Sequence, residues 1–354
     1  MTDDPGNAPG ADQPGPGARA RALLHNAAPE TAAPGPDAPG PADIVRGFEH
    51  SGRPAEFVAI FLRNILFNLL TATIYRFWGK TRVRRYIWSH TDLEGDALEY
   101  DGTGLELFTG FAIAILLLGP LALLPAWYFW VSPESDPLDV AMFQSGLSLV
   151  LYFLWYIAIY RARQYRLSRT RWRGIRGAME GSGLGYSLRN LLYTLLTSVT
   201  FGLFAPWASV RLWEYEISNS RFGDRGFRFR GDPGELLPTL LVCALLFIPT
   251  LGLSWAWYKA AVLRHVAGRT GFEDLRFGFS ARGHHLLALV IPNFLLMVLT
   301  LGLAYPLVLL RRVRFICRHL SIIGPLQPEA LGRCLGPRPR YGEGMADFLG
   351  VGGI

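Results

Sequence analysis

Apolar blocks and short basic connectors alternate along most of this chain. The blocks lie at 57–75, 107–130, 140–160, 186–207, 236–258 and 286–310. Each is near the roughly 20 residues with which an α-helix crosses a hydrocarbon core. The second, LFTGFAIAILLLGPLALLPAWYFW, carries no charge, and the third, VAMFQSGLSLVLYFLWYIAIY, has no ionisable group but its tyrosines. A soluble core could hold one such block but hardly six, so the pattern predicts an integral membrane protein.

The blocks also repeat. Residues 200–207 read TFGLFAPW, 250–257 TLGLSWAW and 300–307 TLGLAYPL. Arg161, Arg211 and Arg311 keep the same step of fifty, with Ala261 interrupting it, as do TRWRG (170–174), SRFGD (220–224), TGFED (270–274) and the partial copy LSIIG (320–324). An earlier copy, TDLEG at 91–95, lies 79 residues before TRWRG, so an insertion of 79 − 50 = 29 residues intervenes. There two full apolar blocks and the acidic loop VSPESDPLD (131–139) replace a single block. The leading half recurs as RNILFNLLT (63–71), RNLLYTLLT (189–197) and, more weakly, NFLLMVLT (293–300). Asn and Thr seven apart share one face of a helix.

Each unit thus reads as an apolar helix, a Thr-x-Gly break, an aromatic or proline, and a basic helix such as GKTRVRRYIWSH (79–90). A short alternating segment follows, such as FRFRG (227–231) or LRFGF (275–279), which suits a small strand or hairpin at the membrane surface. The expected fold class is an all-α multi-pass membrane protein built of degenerate repeats, with small β-elements at its surface. Trp78, Trp207 and Trp257, with Arg82, Arg211 and Arg311, read as interface anchors.

The net charge of +7 does not redirect this picture. The arginines flank apolar blocks instead of forming one soluble patch, so anionic lipid, not nucleic acid, is the expected partner. The three cysteines have no ligand or disulfide spacing. Residues 1–45, rich in Pro, Gly and Ala, read as a disordered tail, 46–324 as the repeat domain and 325–354 as a second loose tail.

On these motifs the chain resembles the YjgN-type bacterial inner-membrane proteins. The resemblance rests on the Asn-x-Leu-Leu-Thr and Thr-Leu-Gly strings, Phe204-Ala-Pro-Trp207, the basic helix, Thr-x-aromatic-x-Gly and Phe-x-Phe. It covers roughly residues 45–324. TATIYRFW (71–78) lacks the glycine, and Leu307 stands where tryptophan is usual. The resemblance implies an inner-membrane location and brings with it no substrate, cofactor or catalytic residue.

Topology is open at this stage. With 131–139 outside, simple alternation of six crossings would put the basic stretch 208–235 and the basic C-terminal tail outside too, against the positive-inside rule. Either some interrupted segments are re-entrant on the cytoplasmic face, or units insert in opposite orientations. Because similar basic motifs should prefer one side, the first is favoured, with 107–130 and 140–160 as full spans and some of the four Thr-x-Gly segments not crossing.

Candidate chemistry is sparse. Arg63, Asn64 and Thr71, with Arg189, Asn190, Thr197, Asn293 and Thr300, could form a polar intramembrane binding face. The competing reading has the arginines snorkelling to the headgroups. Thr250, Gly202, Gly252 and Gly302 mark either broken, ion-binding helices or turns that need glycine. His265, His284 and His285 lack metal spacing, and Asp92, Glu94, Asp96, Glu99 and Asp101 alternate like the wet face of a strand. No nucleophile-elbow or nucleotide motif occurs, so neither an enzyme nor a cofactor is expected. Two functions fit: a structural or lipid- and partner-interacting membrane protein, or a transporter with a pathway between repeats. The absence of intramembrane carboxylates argues against a proton- or cation-coupled carrier.

Overall fold

The computed structural model describes residues 45–134 and 136–325, with Leu331, Gly332, Pro339, Glu343, Ala346 and Asp347. The expected disorder of 1–45 and looseness of 325–354 therefore lie almost wholly outside the described residues.

After β1 (Val45–His50), helix pairs and short strands alternate. α1 (Pro54–Leu70) and α2 (Arg76–Ser89) lead to β2 (Thr91–Leu93), β3 (Asp96–Ala97) and β4 (Glu99–Tyr100). α3 (Gly104–Val131) and α4 (Pro137–Arg169) lead to β5 (Thr170–Trp172) and β6 (Ile175–Met179). α5 (Gly183–Val199) and α6 (Ala205–Ser218) lead to β7 (Ser220–Phe222) and β8 (Arg225–Phe229). A 3-10 turn (Pro233–Leu236) runs into α7 (Leu237–Leu245), followed by α8 (Trp255–Gly268), β9 (Thr270–Phe272) and β10 (Leu275–Phe279). Last come α9 (Gly283–Leu299), α10 (Tyr305–His319) and β11 (Leu320–Ile323).

The protein is not all-α, as its hydropathy leads one to expect. Its strands form one eleven-stranded sheet in the order β3-β2-β1-β11-β10-β9-β8-β7-β6-β5-β4, antiparallel throughout. The two ends of that order are halves of one stretch: β3 pairs with β2, β4 pairs with β5, and Leu98 N–H between them donates to Thr91 O at 2.9 Å. The sheet is therefore a nearly closed, barrel-like ring.

Local signals for the hairpins are present, including two-residue turns with positive φ at Glu94 and Gly95 and at Arg173 and Gly174. The ring is not a local property. Strands of two to six residues are unstable alone, and closure depends on β1 meeting β11 (Val45↔Ile323) and β2 (Phe48↔Leu93).

Inside the ring pack Leu93, Trp172, Phe222, Phe272 and Ile322, the third residues of the five TDLEG-type strings, with Phe48, Leu98, Phe227 and Phe277. Phe227 and Phe272 lie 4.7 Å apart between centroids. Burial of these rings holds the short strands together.

Each helix pair leaves the ring and returns to it as a hairpin. Among the described residues only α3 and α4, of 28 and 33 residues, are long and apolar enough to cross a membrane. At 1.5 Å per residue they are about 42 and 50 Å long, whereas the 17-residue α1, α5 and α9 reach only about 25 Å. Among the described residues the two segments expected to span thus form one long hairpin, at the place of the 29-residue insertion, beside four short ones. The other four apolar blocks, 57–75, 186–207, 236–258 and 286–310, overstate helix length because each runs through a turn.

Candidate membrane interface

The octet marks the tip of each short hairpin. Thr200 Oγ1 donates to Leu196 O at 2.7 Å and accepts Phe204 N–H at 3.0 Å. The same two bonds occur at Thr71 with Phe67 and Tyr75, at Thr250 with Leu246 and Ser254, and at Thr300 with Leu296 and Ala304. One hydroxyl thus satisfies an end carbonyl of the outgoing helix and an opening N–H of the returning one. The next two residues turn with positive φ, at Phe201/Gly202, Leu251/Gly252 and Leu301/Gly302. The glycine N–H closes the turn onto the carbonyl five residues back, 2.7 Å from Gly202 to Thr197. Such a tip leaves few backbone groups wanting water, the condition for irregular backbone near hydrocarbon.

The tips are also bare of protein contacts. Phe201 is 98% exposed, and Leu251 and Leu301 are each 93% exposed. Leu69, Val199, Leu245, Ile248 and Leu299 beside them are exposed too, as are Leu116, Leu117 and Trp130 on α3. Only 18% and 6% of the most apolar stretches of α3 and α4 are buried. Large apolar side chains this exposed on so many helices suit a nonaqueous partner.

Charge gathers at the opposite end. On the ring, Arg46 pairs with Glu94, Arg173 lies 3.8 Å from Glu94 and 2.5 Å from Asp96, and Arg171 is 2.6 Å from Asp101. Deeper in, Glu106 at the start of α3 accepts from Arg169 at 2.7 Å and from the Tyr165 hydroxyl at 2.8 Å.

The residues singled out from sequence spread over separate hairpins. Asn64, Asn190 and Asn293 are all buried. Asn64 donates to Gly79 O at 3.3 Å, Asn190 accepts from Tyr152 at 2.7 Å, and Asn293 accepts from Arg311 at 3.4 Å. No hydrogen bond among the described residues joins one asparagine to another. Arg63 is exposed on α1, and Arg189 donates to Gly185 O at 3.0 Å while its guanidinium lies 4.5 Å from the Tyr215 ring. Thr197 is not the counterpart of Thr71; Thr200 is, because α5 carries three further residues between its asparagine and its turn.

Arg82 faces the Tyr75 ring at 5.8 Å, and Arg211 pairs with Glu214 at 2.7 Å. His265 Nδ1 lies 3.1 Å from Glu235, while His284 and His285 lie ring to ring beside His319.

Two features escape a reading by blocks. First, Trp78 and Trp257 wedge one hairpin against the next: a Cβ on Gly104 would lie 2.6 Å from Trp78 Cγ, and one on Gly283 2.4 Å from Trp257 Cγ. Ile157, 79 residues after Trp78, takes this place against Gly183. Trp207 stacks on Phe204 at 6.1 Å. Second, Arg84 in α2 is fully buried, donating to Tyr100 Oη at 3.1 Å and to Glu343 Oε2 at 2.6 Å. Burial alone would lower the Arg84 pKa, but the Glu343 carboxylate outweighs it and holds the pKa above its ordinary value. The i, i+4 spacing of Lys80 and Arg84, matched by Glu343 and Asp347, was the available signal.

Against known proteins, a stretch of 68 residues is 32% identical to "Inner membrane protein YjgN" of Salmonella typhimurium (strain LT2), covering 19% of this chain and 17% of that protein. No solved structure matches. Residues 46–253 and 234–348 match the family described as "Bacterial protein of unknown function (DUF898)". With nearly every described element inside those two stretches, the chain belongs to that family of bacterial proteins, the one its hairpin-and-octet motifs resemble.

Proposed function

We propose that this protein is a non-catalytic, lipid-interacting scaffold of the bacterial inner membrane, built of degenerate repeats. The long α3–α4 hairpin crosses the bilayer and exposes the 132–136 loop on the far side. The four short hairpins dip their Thr-x-Gly tips into the near leaflet, and the arginine-bearing ring lies beneath it in the cytoplasm. The observation that carries this reading is the pairing of bare apolar tips with a single ring to which every hairpin returns. It supports the re-entrant alternative and the positive-inside rule together. The name of the Salmonella relative supports the same membrane.

Transport is less well supported. The ring is filled by aromatic side chains, Asn64 and Asn293 bond within their own hairpins, and Asn190 bonds to Tyr152 of α4, so no hydrogen bond among the described residues joins these asparagines into one polar path.

Labelling of intact cells with a membrane-impermeant maleimide tests the arrangement. In a cysteine-free background, Glu134→Cys should label from the periplasm, whereas Arg225→Cys and Arg276→Cys should label only after lysis. Periplasmic labelling at 225 would end the proposal.

A further inference from the structure

The cleft between α2 and α4 holds more than a helix contact needs. Arg84 grips both oxygens of Glu343, and each side chain is wholly removed from solvent. One turn earlier, Lys80 pairs with Asp347, whose side chain is 2% exposed. Arg166 of α4 also lies within electrostatic reach of Glu343 and Arg84. Between the two acids, Ala346 is fully buried against Ala158 and Ala162 of α4. Asp347 N–H donates to Glu343 O at 2.9 Å, so the three residues are one face of a helical turn, seated with acids on cations and a methyl in an alanine slot.

A buried ion pair is a poor source of stability, because desolvation cancels much of the Coulombic gain. Here the fit is also incomplete. Asp347 Oδ2 is buried with no partner among the described residues, and burial pushes the Asp347 carboxyl above its usual pKa, with Lys80 pulling the other way. The acids are thus imperfect occupants of a site that offers an arginine fork, an ammonium and the Tyr100 hydroxyl. A tetrahedral phosphate monoester or diester would use that donor set more fully than two separate carboxylates do. Lys80 lies two residues after Trp78, on the helix that runs from a hairpin tip back to the ring, which is headgroup depth on the membrane reading given above.

We infer that this cleft is a binding site for a phosphate-bearing anion, and that Glu343, Ala346 and Asp347 fill it in cis until such an anion displaces them. The displaced carboxylates go to water, and the incoming phosphate takes their place on Lys80 and Arg84. Only the source of the anion, lipid headgroup or free phosphate, rests on the proposed membrane location.

Amide exchange at Asp347 in the full-length protein, held in nanodiscs, tests this. In phosphatidylcholine alone the Asp347 amide should be protected. Adding phosphatidylglycerol should raise its exchange by about tenfold if headgroups are the ligand. Inorganic phosphate, compared with chloride at equal ionic strength, should do so if the free anion is. The double variant Glu343→Gln/Asp347→Asn should retain more copurified anionic phospholipid, or bind phosphate more tightly, than wild type, and Arg84→Gln should retain or bind less. Unchanged exchange with both anions, or equal anion binding in all three proteins, would overturn the inference. Failure of the lipid arm alone, with phosphate active, would leave the site standing and count against headgroups as its ligand.

Discussion

At position 73 the chain carries threonine where the other three short hairpins carry glycine. Thr73 has φ +71°, beside +90° at Gly202, +82° at Gly252 and +88° at Gly302. A β-branched residue is strained there by about 1 kcal/mol, and glycine is not. Thr73→Gly should therefore raise the thermal midpoint in detergent by a degree or two, and Gly302→Thr should lower it.

His50, at the end of β1, has Nδ1 3.1 Å from Thr91 Oγ1. Burial first, then repulsion from Arg314 and His90, lowers its pKa from 6.5 to about 4, against a smaller upward pull from Asp92. Between those values the unfolded chain binds the proton and the folded chain does not, so stability declines as pH falls through that window. His50→Gln should flatten the dependence of the thermal midpoint on pH between about 6.5 and 4. An unchanged slope would mean that another group carries it.

At the scale of elements, neighbouring hairpins are registered by an aromatic ring on a glycine. No methyl fits between Gly283 and Trp257 without a shift. Gly283→Ala should therefore cost about 1–3 kcal/mol by overpacking at the α8–α9 contact. In a Trp257→Ala background the same substitution should cost much less, which a double-mutant cycle on thermal or denaturant unfolding would measure. Equal costs in both backgrounds would assign the strain to the α9 backbone instead. Trp78 and Trp257, expected from sequence to be interface anchors, thus each meet a glycine of the next hairpin, a contact invisible from their own surroundings in the chain because that glycine lies 26 residues on in both pairs (104 − 78 and 283 − 257).

For the whole molecule, β1 is the strand that joins the last unit to the first. It pairs with β11 on one side and β2 on the other, and Phe48 packs with the ring interior. Removing residues 1–50 should open the ring, speeding amide exchange in β2 and β11 by more than in β7 and β8, which keep their neighbours. Uniform exchange across the sheet would mean that the ring holds without its closing strand. Ring closure is also what makes all hairpins point from one base, so the topology inferred for the membrane depends on these few residues.

Much of this architecture follows from local order along the chain. The period of fifty, the Thr-x-Gly turns, the 29-residue insertion and the short alternating strands are each carried by short strings of neighbouring residues, and periodicity reports such strings directly. The polar candidates were legible as residue types, yet their bonding partners were not, since Tyr152 and Arg311 lie 38 and 18 residues from Asn190 and Asn293. Tertiary structure decided that the strands form one ring, that among the described residues only one hairpin is long enough to cross, and that Glu343 and Asp347 lie on α2. Each of these depends on contacts between distant segments, whose loop-closure entropy is offset only when the aromatic interior and the buried charges assemble together.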